Sequence, residues 1–541
     1  MNKKRMWSAA LMLLLVLSTV LAACGGNGSS SSNGNSNSDS SSGSGNTQDI
    51  LVFGRGGDST SLDPSRVTEG ETFKVTVNLY ETLLNFGEQD TSVQPGLAKE
   101  WNTDDGLTYT FKLQEGVKFH DGTDFNADAV VKNFERWANG DAEKFPYYNS
   151  MFGGFKGDEG HVIESVTADG DHTVIIKLKR PQAPFLKNIA MSMFAIASPT
   201  AFEKGDDQFE RNPVGTGPFK FVDWKPNESI TIEKFDDYWQ EGLPKLNKVI
   251  FRSIPDNSAR LNALIAGEID LADGINPADG EKIEGNADLQ LIERPSMNVG
   301  YLGLTVTRPP FDKKEVRQAM NYAINKETII ESFFEGRANI AKNPMPPSIS
   351  GYNDDIEPYE YNPEKAKELL AKAGYPDGFE MELWAMPVPR PYMPDGAKVA
   401  EVIQSNLADI GVKAKIVSYE WPTYLDKASK GEADAFMLGW TGDNGDADNF
   451  LYVLLDEDNI GSNNYTYFKN DAMHDLFIEA QTEVDEDKRI QLYRKAQEII
   501  HEEAPWVPIA HSTPLLAAAK DLTGFVPHPT GSDLLSNVEF K

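Results

Sequence analysis

One thiol and seven imidazoles are the metal-binding and nucleophilic side chains to account for first in this chain of 541 residues. Cys24 has no second cysteine, which excludes an intrachain disulfide and a cysteine-ligated zinc. The histidines, at 120, 161, 172, 474, 501, 511 and 528, include no pair at metal-ligand spacing. His501-Glu502-Glu503-Ala504-Pro505 starts like the helical zinc motif of metalloproteases, but Pro505 stands where the second histidine is needed. Val214-Gly215-Thr216-Gly217-Pro218 offers two glycines of a dinucleotide loop, with Lys220 at the third position. No Gly-Lys-Ser/Thr phosphate loop occurs, and Gly43-Ser44-Gly45 lies in a Gly/Ser run instead of on a strand–helix elbow. The acidic run Asp443 to Asn449 invites a calcium loop. Counted from Asp446, Glu457 falls at the twelfth position, yet Phe450 takes a ligand position and Leu451 the turn glycine. The expectation is a protein without metal, cofactor or catalytic nucleophile, and not an enzyme.

The elements that carry these residues begin after an N-terminal address. Lys3, Lys4 and Arg5 precede an apolar run from Met6 to about Val20, short of the roughly 18 apolar residues of a spanning helix. The run ends in Leu21-Ala22-Ala23-Cys24-Gly25, which resembles the lipobox of bacterial lipoproteins. That resemblance implies cleavage after residue 23 (signal peptide 1–23) and acylation of Cys24, which anchors the chain in the membrane. Residues 24–48 are otherwise almost entirely Gly, Ser and Asn, a composition that buries no core and spans roughly 25–30 Å as a flexible tether. The rest has ordinary globular composition, 40% hydrophobic with 10% aromatic residues, and is long enough for two or three domains. With 51 Lys and Arg against 83 Asp and Glu, the net charge of −32 repels phosphate backbones and argues against nucleic acid.

Strand and helix patterns alternate through the body. Ile50–Phe53, Thr108–Leu113, His172–Leu178 and Ser229–Glu233 read as strands, as do Val412–Tyr419 and Ala435–Trp440. Asp312 with Glu315 resembles a capping box ahead of Val316, Ala319, Met320 and Ala323 at helical spacing. Asn362 is a good N-cap with Pro363 behind it and Gly374 to end the helix, and Val399, Ile403, Leu407 and Ile410 form a stripe that Gly411 closes.

Several blocks occur together in order. They are Leu62-Asp63-Pro64, Tyr80-Glu81-Thr82-Leu83, Pro95-Gly96-Leu97-Ala98 with Trp101, Val117-Lys118-Phe119-His120-Asp121-Gly122, Asn212 to Phe219, and Asp237-Tyr238-Trp239. They resemble the peptide-class family (family 5) of solute-binding lipoproteins of bacterial ABC importers. Trp384 to Tyr392, Tyr419-Glu420-Trp421 and Gly439 to Asp446 are similar to its dipeptide-binding branch. The resemblance implies an α/β fold of the periplasmic-binding-protein kind, a bilobal clamp of three α/β lobes with a discontinuous first lobe. Lobe I would comprise 49–85, 211–300 and 510–541, lobe II 86–210, and lobe III 301–509. It implies that Arg390 meets the carboxylate of a peptide ligand and Asp443 its amine. Such a pair reads the constant charged ends of a zwitterion and ignores its variable side chains. Tyr392, Trp421 and Trp440 would line side-chain pockets, and Thr68-Glu69-Gly70 resembles the first ligand-contacting loop. Glu69 departs from the small polar residue usual there. The implied partners are a small peptide and a membrane permease, with the protein a lipid-anchored monomer on the extracytoplasmic face. Within the family, haem, glutathione, a longer oligopeptide or nickel are the alternative solutes. Outside it, a lipid-anchored extracellular hydrolase would need a nucleophile beside a base, and no such motif occurs; a purely structural surface lipoprotein is the third option.

Overall fold

A computed structural model describes residues 49–541, so the expected signal peptide, the expected acylation at Cys24 and the expected tether lie outside the described residues. Three sheets organise the body. The largest has seven strands in the spatial order Leu289–Glu293, Leu515–Ala519, Leu271–Ile275, Ile50–Arg55, Lys248–Ser253, Ser229–Lys234 and Phe219–Lys225. Its central strand, Ile50–Arg55, runs parallel to neighbours on both sides that follow it by some two hundred residues. This lobe is therefore assembled from separate stretches of chain. The second sheet has six strands, ordered Ala338–Ile340, Trp506–Ser512, Asn298–Leu304, Ala435–Thr441, Glu380–Trp384 and Lys413–Val417. The third has four: Ala98–Thr103, Thr108–Leu113, Thr173–Leu178 and Ile163–Ala168. The mixed α/β architecture is that of a bilobal clamp. The chain passes from the first sheet to the second between Glu293 and Asn298 and returns between Ser512 and Leu515.

Burial patterns explain the layers. Along Ala435–Thr441, Ala435 and Met437 enter one core while Phe436 and Leu438 enter another, so both faces of the six-stranded sheet are covered. In Thr108–Leu113 only Tyr109, Phe111 and Leu113 are buried, and the other face of the four-stranded sheet meets water. Asn362 caps its helix as expected, accepting from the Lys365 N–H at 2.9 Å with Pro363 in the first turn. The helix near Asp312 begins one residue later than the sequence suggested. Lys313 takes the cap position without a side-chain bond, because its N–H is held by the Pro310 carbonyl and Phe311 is anchored in the core.

Several sequence blocks meet at the junction of the four- and seven-stranded lobes. The buried Glu81 carboxylate accepts from Thr216 Oγ1 at 2.8 Å, Tyr238 OH at 2.9 Å and Trp239 Nε1 at 3.0 Å. Burial pushes it up to about 7, against the pull of those three donors. Gly215 and Gly217 lie on the Leu79–Tyr80 backbone, where a Cβ at Gly215 would come within 2.2 Å of the Leu79 carbonyl. His120 bonds the Gly217 carbonyl at 2.9 Å and is held well below its usual range, at about 4, by burial. These blocks build the joint between lobes.

Candidate ligand-binding site

The loop after Glu380–Trp384 carries Pro387, Pro389 and Pro391, whose fixed φ angles limit the backbone's freedom around Arg390. The Arg390 N–H bonds the Met393 carbonyl at 3.0 Å and the Met393 N–H returns to Arg390 at 2.9 Å, closing a tight turn. Its guanidinium is exposed. It donates to the Pro389 carbonyl at 3.1 Å, lies 5.5 Å over the Trp421 ring, and has no carboxylate partner among the described residues. Trp421 opens the helix Trp421–Ser429 and stacks on Tyr424 at 5.7 Å. The buried Tyr424 hydroxyl is fixed by the Met437 carbonyl at 2.7 Å.

Tyr392 turns inward from the same loop, and burial pushes its hydroxyl up to about 12 although Arg390 pulls it down. It rests on two glycines paired across neighbouring strands, Gly300 and Gly439. A Cβ at Gly439 would sit 2.2 Å from the ring, and one at Gly300 would sit 2.3 Å from the Tyr392 carbonyl oxygen. The absence of side chains there is what seats the Arg390 loop on the sheet.

Gly439 is followed by Trp440 and then Asp443. Asn449, in the helix Ala447–Leu455, organises both: its Oδ1 accepts from Trp440 Nε1 at 3.1 Å and from the Asp443 N–H at 3.0 Å. Its Nδ2 donates to Asp443 Oδ2 at 3.1 Å. Tyr147 reaches Asp443 Oδ1 at 3.1 Å from the helix Pro146–Phe152 of the four-stranded lobe. Asp443 has no cation partner among the described residues, and burial pushes it up to about 6 against the two hydrogen bonds. The acidic run continues into a helix N-terminus. Asp446 caps Ala447–Leu455, so Phe450 and Leu451 are buried helical residues and not positions of a cation loop.

Glu69 is the N-cap of the helix Gly70–Thr76, accepting from the Thr72 N–H at 2.8 Å and the Thr60 hydroxyl at 3.0 Å. Its carboxylate is thus taken up by capping, which accounts for the departure from a small residue. Thr68 and Gly70 are exposed. The same helix reaches the site through Phe73, edge-on to Tyr147 at 6.3 Å. The structure therefore groups Arg390, Tyr392 and Trp421, and links Tyr392 through Gly439 to Trp440 and Asp443, while Thr68–Gly70 stands one helix away. The sequence reading missed Tyr147, which nothing in Phe145-Pro146-Tyr147 marks out. It also missed Asn449, which lies three residues beyond the Gly439–Asp446 block that carries the resemblance.

Residues 92–462 match the model of the bacterial extracellular solute-binding proteins, family 5. The chain belongs to that family. The dipeptide-binding protein of Escherichia coli K12 is 40% identical to this family 5 protein over 510 residues, spanning 91% of this chain and 94% of that one. Heme-binding protein A of Haemophilus influenzae is 39% identical over 495 residues, 88% of this chain and 89% of that one. Among solved structures, an ABC transporter-associated periplasmic binding protein of Helicobacter pylori in complex with the peptide STSA superposes with a TM-score of 0.80. It is 37% identical, with 91% of this chain and 98% of that one covered. The chain is the solute-binding component of an importer, and none of its described helices is long and apolar enough to cross a membrane.

Proposed function

We propose that this family 5 protein captures dipeptides and similarly short peptides by their charged ends. Asp443 takes the ligand ammonium and Arg390 the carboxylate, with Tyr392, Trp421 and Trp440 beside the side chains. It then delivers the peptide to a membrane permease as a monomer held to the outer face of the membrane by lipid on Cys24. The observation that carries this reading is the Asp443 carboxylate, half-buried where two lobes meet, with hydrogen-bond donors and no cation among the described residues. A ligand ammonium supplies the missing charge. Arg390, exposed and without a carboxylate partner, offers the complementary fork for the other end. The naming of the Escherichia coli relative and the peptide in the Helicobacter pylori structure support the same solute class.

Calorimetry on free, N-acetylated and C-amidated dipeptides tests it. Leaving one member of a buried charged pair without its partner costs about 2–5 kcal/mol, or roughly thirty- to several-thousand-fold in affinity. Free dipeptides should bind and blocked ones much more weakly. Arg390→Ala should lose affinity for free dipeptides while narrowing the penalty for amidation, and Asp443→Asn should do the same for acetylation. Equal binding of free and blocked dipeptides to the wild type would overturn the reading, and haem would be the next solute to titrate.

A further inference from the structure

Next to Asp443, the same loop carries two further carboxylates, the buried Asp446 and the half-buried Asp448. Arg489 grips Asp446 with two bonds of 2.8 and 2.6 Å, and the Asp446 side chain is 2% exposed. Asp448 lies beside them, accepting from Gln481 at 3.1 Å and Tyr493 at 3.2 Å. Asp446 thus takes both bonds from the one arginine, while Asp448 is held by neutral donors. Burial and the Asp446 charge push Asp448 up to about 7, and Asp446 is held low by Arg489 despite its burial. The second cation comes from the other lobe. Lys187, in the helix Phe185–Ala190, donates to the Gly445 carbonyl at 2.9 Å and stands 3.7 Å from Asp446.

Neighbouring contacts cross between the same two lobes. Asn444 donates to Asn188 Oδ1 at 2.8 Å, both side chains buried, and the Ala183 N–H bonds the Gln481 carbonyl at 2.7 Å. Gly445, at φ 62°, lets Thr91 approach so closely that a Cβ would lie 1.7 Å from its Oγ1.

We infer that Lys187 is a latch: it reaches from the four-stranded lobe to the Gly445–Asp446 turn, brings a second cation to the buried Asp446, and favours the closed clamp through a contact of the protein's own. The two carboxylate sites on this loop then divide their roles. The protein supplies its own cation to the Asp446 cluster on closing, whereas closing over Asp443 buries a charge that only a solute cation can match. Lys187 is a positioning residue, acting through the loop that holds Asp443.

The test uses the full-length protein after mass spectrometry has confirmed that no solute is carried, so its outcome does not depend on which solute the protein binds. Hydrogen exchange is followed at the Ala183 amide, whose acceptor lies across the cleft. Losing a hydrogen bond from a charged donor should speed that exchange about tenfold in Lys187→Met. Exchange in the core strand Thr108–Leu113 should not change, and Lys187→Arg should restore the slow rate. X-ray scattering should record a larger radius of gyration for Lys187→Met than for wild type. An Ala183 amide that exchanges equally fast in wild type and Lys187→Met would overturn the latch, as would failure of Lys187→Arg to restore protection.

Discussion

Asp443 holds a carboxylate that burial pushes up to about 6 while Tyr147 and Asn449 donate to it from two lobes. Its ionised form is the one that pairs with an ammonium, so protons and solute compete for it. Affinity for a free dipeptide should be highest near pH 7, fall as the pH drops through about 6, approaching tenfold per pH unit below that, and fall again above about pH 8 as the ligand's own ammonium loses its proton. The groups facing Asp443 directly, Tyr147 and Asn449, are neutral in this range. Of the charged residues farther along its loop and against it, Arg489 and Lys187 pair with Asp446, and Asp448 accepts from the neutral Gln481 and Tyr493. Titration calorimetry between pH 5 and 8 checks the expectation. Asp443→Asn should bind weakly and lose the fall in affinity between pH 7 and 5.

At the scale of elements, the site depends on how closely a loop approaches a sheet. The strands Asn298–Leu304 and Ala435–Thr441 place Gly300 opposite Gly439, and Tyr392 fills the space that their missing side chains leave. Gly439→Ala puts a methyl 2.2 Å from the ring and 2.5 Å from the Val299 carbonyl oxygen of the neighbouring strand, leaving it little room to yield. Overpacking of this kind costs about 1–3 kcal/mol. The substitution should lower the unfolding midpoint in denaturant, alter the near-ultraviolet circular dichroism of the tyrosine, and weaken dipeptide binding without touching the ligand, because the Arg390 turn moves with Tyr392. Unchanged affinity in a folded Gly439→Ala protein would mean that Arg390 is not positioned this way. The helix Gly70–Thr76 is a second example of an element scale effect, since Glu69 stabilises it as a cap. Glu69→Ala should cost about 1 kcal/mol in stability by denaturant titration.

For the whole molecule, the decisive contacts run between lobes. Glu81 gathers Thr216, Tyr238 and Trp239 at the joint of the four- and seven-stranded sheets, while Tyr147 and Lys187 meet the Asp443–Asp446 loop where the four-stranded lobe faces the six-stranded one. A clamp with a joint on one side and a latch on the other is suited to hinge closure around a solute. The proposed attachment through lipid on Cys24 belongs to this scale too. Cys24→Ser removes the only thiol, so the protein should be unlipidated and should appear as a shed form or an uncleaved precursor. Detergent partitioning with intact mass measurement checks this, and an acylated mature N-terminus in the variant would refute the anchor.

The sequence by itself determined what depends on near neighbours. Alternation in Thr108–Leu113 marked a strand with one buried face, and Asn362-Pro363 marked a helix start, because side-chain period and capping are set within a few residues. The ordered blocks around Glu81 carried the family and with it the fold class. Even local signals slipped where a tertiary anchor intervened, as at Asp312, where the buried Phe311 and the Pro310 carbonyl set the helix start. Only the tertiary structure decided that Tyr147 meets Asp443, 296 residues away, and that Lys187 meets Gly445, 258 residues away. It also decided that Glu69 caps a helix and that two glycines on separate strands make one seat for Tyr392. Such pairings depend on which faces of independently formed lobes come together. No local period or spacing encodes that, because the energy of the contact exists only once both lobes are built and closed.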